Sequence, residues 1–180
     1  MPAKPRYKLP TEESLTRAAV HYLERYASSE TNLNIVLQRK IFRICHTLGQ
    51  DPVAYLDMID TVVAKCVRIG LVNDRQFAET KISSLRRKGA SQRKIESQLA
   101  AKGVGHELIL SLMSEDPHDD SIAAKKYARR RRLGPYRDPF KRLERRDKDL
   151  AAMCRAGFSF EIARQVIDAD GIGSELDPTR

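Results

Sequence analysis

Between Lys125 and Arg132 the chain places Lys125, Lys126, Arg129, Arg130 and Arg132 in quick succession, and Arg137, Lys141, Arg142, Arg145 and Arg146 follow. Cations held this close repel one another. An anionic partner relieves that repulsion, and each phosphate contact also releases condensed counterions. Acidic compensation nearby is weak, although a solvated helix face is the plainer explanation of such a run. A second cluster, Arg86, Arg87, Lys88, Arg93, Lys94 and Lys102, falls around helix junctions. There the plainer explanation is stronger, because basic residues at helix C-termini already gain about 0.3–1 kcal/mol from the dipole. The chemistry that both clusters offer is binding of a polyanion. Tyr127 and Tyr136 lie among these cations, where rings can stack on bases, but Tyr127 falls on an apolar stripe and is expected in the core.

Other chemistries find little support. His21, His46, His106 and His118 show no ligand-like spacing with each other or with Cys45, Cys66 and Cys154, and the neighbours Cys45 and His46 point to different helix faces, so no metal site is expected. There is no nucleophile elbow, no glycine-rich phosphate loop and no HExxH. Neither catalysis nor a cofactor is expected. The formal charge of +9 and pI near 9.6 fit a polyanionic partner, while saying nothing of fold. Three scattered cysteines suit reduced thiols in a cytoplasmic protein. MPAKPRYKLP at the N-terminus has no apolar core, and no run approaches a membrane span.

The elements that must position these residues read as short helices. Period-two alternation and hairpin dipeptides are missing, Trp is absent and aromatics are few, so the expectation is all-α. The clearest stretch is Leu71 to Met113. Asn73 reads as an N-cap, with Val72 and Phe77 as a hydrophobic staple and Phe77, Ile82 and Leu85 as the inner side. Gly89 closes that helix. Ser91 opens the next, with Ile95 and Leu99 inward, and Gly103 stops it; Leu108, Leu112 and Met113 mark a third.

Earlier, Thr11 caps a helix, Ser28 or Ser29 precedes a second, and Asp51-Pro52 starts a third that runs to Gly70. Later, Asp120 begins a helix on which Arg131 lands on the stripe side, so that either the helix frays there or the stem packs and the head snorkels. Asp138-Pro139 then begins one lined by Phe140, Leu143, Leu150, Met153 and Cys154 and interrupted by Asp147, and Ser159 caps the last. Spacings recur: Ser29, Leu33, Leu37 matches Ser91, Ile95, Leu99, and Gly103 and Gly157 both follow a helix end. They indicate three tandem three-helix repeats in residues 11–70, 71–118 and 119–170, the first with an extra helical stretch, between a basic arm 1–10 and a loose tail 171–180. Stacking of such repeats is expected to give an elongated, curved body.

With these units in place, GLVNDRQFAE from Gly70, LRRKGASQRKIESQLAAKGV from Leu85 and RAGFSFEIARQVI from Arg155 resemble the RecX family of bacterial regulatory proteins. The likeness covers roughly Ala18 to Asp168. The chain departs from it in the longer Ile41 to Tyr55 stretch, in Asn32-Leu33 where many members have Glu-Leu, and in the long Arg-rich segment from Gly134 to Asp147. What the resemblance implies is a cytoplasmic protein that binds RecA recombinase filaments on single-stranded DNA and lowers recombination, ATP hydrolysis and co-protease activity. It would act as a non-enzymatic monomer, with non-specific duplex contact as a secondary property. The competing reading is a helical DNA-binding transcription regulator that uses the glycine-separated helices as helix-turn-helix units. A third is an interaction module whose basic faces meet acidic protein.

Overall fold

The structure, a computed structural model, describes residues 8–117 and 119–169; the N-terminal arm up to residue 7, His118 and the tail from residue 170 lie outside the described residues. Among them the chain forms nine α-helices and two short 3₁₀ turns, and no strand. The helices are α1 (Glu12–Leu23), α2 (Glu30–Leu48), α3 (Asp57–Arg68), α4 (Asp74–Arg87), α5 (Gln92–Ala100), α6 (His106–Glu115), α7 (Asp120–Arg131), α8 (Pro139–Arg155) and α9 (Phe160–Ile167).

Local chemistry explains most boundaries. Thr11 and Ser14 form a capping box at α1, Ser29 caps α2, the Asn73 side chain accepts from Gln76 N at 3.0 Å, and Ser91 accepts from Lys94 N at 3.2 Å. Each satisfies an amide that the first turn would otherwise leave unpaired. At the C-termini, Ala90 N–H donates to the Leu85 carbonyl and Phe158 N–H to that of Met153, the wrap that a left-handed residue permits. After α7 that residue is Arg132, at φ 53°, the one non-glycine with positive φ among the described residues.

Four expectations need correction. Pro52 does not start a continuous helix: Pro52–Tyr55 is a 3₁₀ turn, and α3 begins at Asp57. Phe77 is half-buried, and its neighbour Ala78 takes the fully buried place in α4. Arg131 does not join the buried stripe: it is the last residue of α7 and is exposed. Phe140, Leu143 and Cys154 do not continue the inner face of α8, where Leu150 and Met153 are buried.

Two compact units emerge. The first runs to Glu79 and takes in Ala100–Leu108; the second comprises Thr80–Leu99 and the chain from Ile109 onward. In the first, Leu15, Ala19, Leu33, Leu37, Ile41, Ile59 and Val62 pack from α1, α2 and α3. Cys45 and Cys66 belong to that core, and burial pushes both thiols up. In the second, Ala124, Ala128, Leu150, Met153, Phe158, Ala163 and Val166 pack from α7, α8, α9 and the turn before it.

The same device recurs inside each unit. Ser29, buried, donates its hydroxyl to the Lys102 carbonyl, and Ser91, also buried, donates to the Ala156 carbonyl at 2.7 Å. Each of those carbonyls precedes a glycine in the left-handed region, Gly103 at φ 73° and Gly157 at φ 95°. A Cβ on Gly103 would lie 2.3 Å from Thr31 Cβ, and one on Gly157 2.5 Å from Ser91 Oγ. A second contact repeats alongside: the Asp74 carboxylate accepts from Glu30 N at 2.8 Å, and Asp120 from Gln92 N at 2.9 Å. The α5–α6 turn thus seats on the N-terminus of α2 as the α8–α9 turn seats on that of α5. Repetition in sequence therefore corresponds to repetition of contacts.

The loop before α8 is held by an ion pair whose carboxylate, Asp149, is buried and whose arginine is partly so. Asp149 accepts from Arg137 at 2.7 and 3.0 Å and from Gly134 N at 2.9 Å. Burial raises its pKa, but the Arg137 hydrogen bonds, the Gly134 amide and the charges of Arg137 and Arg145 outweigh that and leave it lowered.

Two outcomes follow for stability. Gly49→Ala, with nothing within 4 Å of the new Cβ, should cost about 1 kcal/mol for the left-handed backbone. Gly157→Ala should cost at least about twice that, since it also displaces the Ser91 cap, itself worth about 1 kcal/mol; equal thermal midpoints would contradict the interlock. Because the folded-state pKa of Asp149 is lowered, its contribution is complete above the unfolded value of about 3.9 and fades as pH falls through the folded value. Acid unfolding of Asp149→Asn should show a shallower dependence in that range, and an unchanged profile would count against the pair.

Candidate nucleic-acid interface

The ends of α4 and α8 and the exposed sides of α5 and α7 converge, within the second unit, on a cleft of about 420 Å³. Lys88, Lys94, Arg130, Arg131 and Arg155 line it with Leu85, Gly89, Ala90, Gln98, Tyr127, Ala152 and Ala156. An adjoining cleft of about 330 Å³ shares Lys94, Arg155 and Ala156 and adds Arg93, Ser97, Cys154 and Gly157. The two form one trough with six cations and no carboxylate among the lining residues. Gly89 and Gly157 let the helices close up around it. A Cβ on Gly89 would stand 2.9 Å from the Ala123 carbonyl oxygen, so α7 could not lie so near α4 with any other residue there.

Arg130 is aimed before any ligand arrives. Its guanidinium donates to the Lys88 carbonyl at 2.5 Å and lies 5.7 Å from the centre of the Tyr127 ring, a cation–π distance. Tyr127 is half-buried and tilts against Phe158 with ring centres 5.6 Å apart, so it is part core and part trough wall. Lys88, Arg93, Lys94, Arg131 and Arg155 have no carboxylate partner among the described residues. Six positive charges around one groove, uncompensated, focus a field that attracts an extended anion.

The cations singled out in the sequence fall into three groups. Lys88, Arg93, Lys94 and Arg130 come together in the trough. Arg87, Lys125, Lys126, Arg129, Arg132 and Lys141 are exposed outside its lining. The others have structural partners. Arg86 is only 4% exposed, donating to Asp116 at 2.7 Å, to Asp120 at 2.6 Å and to the Ala90 carbonyl at 3.1 Å. Its guanidinium closes the α4–α5 turn, so as a surface contact it is corrected. Arg142 donates to the Gly134 and Ala169 carbonyls, Arg146 holds Asp168 through two 2.7 Å bonds, and Arg145 lies 3.4 Å from Glu144. Lys102, in the first unit, donates to Asn32 Oδ1 at 3.1 Å.

Arg131 and Arg155 were not among the expected binding residues. Arg131 falls on the stripe side of its helix by periodicity, and Arg155 stands outside both clusters, with only its place at a helix end as a signal. No group of three or more His, Cys, Asp or Glu able to hold a metal occurs among the described residues. No described helix is long and apolar enough to cross a membrane.

Fold and site so far define an all-helical protein of repeated small units with a preformed cationic trough. Comparison with known proteins places it further. Residues 73–111 match the model of the RecX second three-helix domain. The chain is 42% identical to the regulatory protein RecX of Myxococcus xanthus strain DK1622 over 94% of its own length and 91% of that protein's. It is 31% identical to the regulatory protein RecX of Agrobacterium fabrum strain C58 over 88% and 85%. A crystal structure of regulatory protein RecX superposes with a TM-score of 0.61 at 19% identity, covering 88% of this chain and 72% of that one. The chain belongs to the RecX family of regulatory proteins.

If the trough carries the anion, Lys94→Ala, Arg131→Ala and Arg155→Ala together should weaken single-strand binding and make the slope of log affinity against log salt shallower by about 2. The same number of substitutions at Lys125, Lys126 and Arg129 should change it less. The opposite order would assign binding to the outward face of α7.

Proposed function

We propose that this chain is a non-enzymatic cytoplasmic regulator that binds RecA recombinase filaments on single-stranded DNA and restrains them, so that recombination, ATP hydrolysis and co-protease activity fall. The observation that carries this reading is the kinship: relatives at 42% and 31% identity over nearly their whole lengths are regulatory proteins RecX. The cationic trough supplies a physical means. A filament presents a phosphate backbone in regular array, and a groove lined by Lys88, Lys94, Arg130, Arg131 and Arg155 can follow such a backbone without reading bases.

In this reading the three helix triplets are tandem modules. The repeated serine–glycine contacts favour it, since they pass one set of interactions from each triplet to the next. Across the first of these contacts Lys102 donates to Asn32, a neutral partner.

The direct check adds the purified protein to a recombinase filament assembled on single-stranded DNA and follows ATP hydrolysis. Hydrolysis should fall at protein amounts well below those of the recombinase, and the Lys94→Ala, Arg131→Ala, Arg155→Ala variant should need more protein for the same fall. Unaltered hydrolysis at saturating protein, with tight binding to a particular duplex, would favour a transcription regulator instead.

A further inference from the structure

We infer that the solvent-facing side of the first two turns of α8 is a docking surface for a protein that offers an apolar groove rimmed by lysine and arginine. Phe140 is 96% exposed and Leu143 87%, more than any other large apolar side chain among the described residues. With Glu144 and Asp147 they stand at i, i+3, i+4 and i+7, one stripe of the helix. That is the spacing by which a helix lays its anchors into a groove. The two carboxylates are open to water at 70% and 93%, and their ion pairs are long ones to the adjacent residues Arg145 at 3.4 Å and Arg146 at 3.5 Å. Exposed pairs of this kind contribute little.

This end of the helix is firmly held. Asp138 accepts from Phe140 N at 3.1 Å, Arg137 pairs with the buried Asp149, and Arg142 donates to the Gly134 carbonyl at 3.0 Å. The fold thus uses one of its few buried charges to fix a turn whose apolar side chains add nothing to either core. A surface ordered in advance loses little freedom on binding.

Charge decides what covers it. In a chain of net charge +9 this stripe joins two apolar anchors to two open carboxylates, with the exposed Lys141 and Lys148 beside rather than on it, so an apolar groove that sets cations opposite Glu144 and Asp147 complements it. The stripe is therefore a protein contact, separate in chemistry from the trough. The inference rests on the functional reading above only in naming the protein, the recombinase of the filament.

The experiment uses the full chain, with Phe140→Ser/Leu143→Ser and Glu144→Lys/Asp147→Lys, each checked for an unchanged thermal midpoint. Binding is measured to a recombinase filament on oligothymidylate and to oligothymidylate alone. Losing both apolar anchors should weaken filament binding roughly thirtyfold and leave the naked strand unaffected. The charge reversal should weaken filament binding while tightening binding to the naked strand, two effects of opposite sign. Wild-type affinity of either variant for the filament would overturn the inference. So would parallel loss on both probes, which would make the stripe a DNA contact, or a wild-type dimer that the serine pair dissolves, which would make a second copy the occupant. A wild-type protein indifferent to the filament would remove the functional reading as well, whereas binding that ignores both variants removes this inference alone.

Discussion

Ser29 and Ser91 each use one hydroxyl twice, accepting from the first turn of their own helix and donating to a carbonyl more than sixty residues away. The rest of the structure depends on that double bond. A small helix cannot bury its stripe alone, and the N-terminus of a helix cannot be covered by a neighbour unless its free amides are answered. The serine, joined by the carboxylate of Asp74 or Asp120, answers them from both sides. Gly103 and Gly157 then let the neighbouring turn come close enough to be bonded. With a Cβ at either glycine the approach fails, and without the serine it would bury unpaired polar groups.

On this frame the basic residues divide according to what else is nearby. Where a carboxylate lies within reach, the cation is absorbed into the fold: Arg86 between Asp116 and Asp120, Arg137 on Asp149, Arg146 on Asp168. The buried guanidinium of Arg86 must be matched nearly completely, since removing either partner strands a charge away from water. Six of the remaining cations line an open groove between helix ends, and others, such as Lys125, Lys126 and Arg129, face solvent outside it. The excess positive charge of the chain is therefore concentrated in part in one groove, and the stripe of α8 with Glu144 and Asp147 is set apart from it.

The local part of this design is legible in sequence because its physics is local. Thr11, Asn73, Ser91 and Ser159 are caps to residues three positions on, and the left-handed glycines close helices that they directly follow. Even the Ser29/Ser91 and Gly103/Gly157 correspondences stand out as repeated spacing. Their meaning does not, since nothing adjacent to Ser91 points to the carbonyl of Ala156. The same distance hides Arg86, which stands in a basic run beside Arg87 and Lys88, while Asp116 and Asp120, thirty residues on and more, decide its role. Arg155 is the converse, an isolated cation brought beside Lys94 by the fold. Phe140 and Leu143 satisfy helical periodicity as well as any core pair, and periodicity cannot tell an inward stripe from one turned to solvent. Asp147, an interruption in an inward stripe, fits an outward one without difficulty.

Kinship with regulatory proteins RecX stands beside a trough suited to a phosphate backbone, and the function proposed above requires that the chain prefer coated to bare strand. The most direct measurement compares affinity for recombinase-coated and naked single strand of one length at one salt concentration. A preference for the coated strand of at least about tenfold, or about 1.4 kcal/mol, is expected if protein and DNA are engaged together. Equal affinity, or a preference for the naked strand, would contradict the account and leave a non-specific nucleic-acid binder.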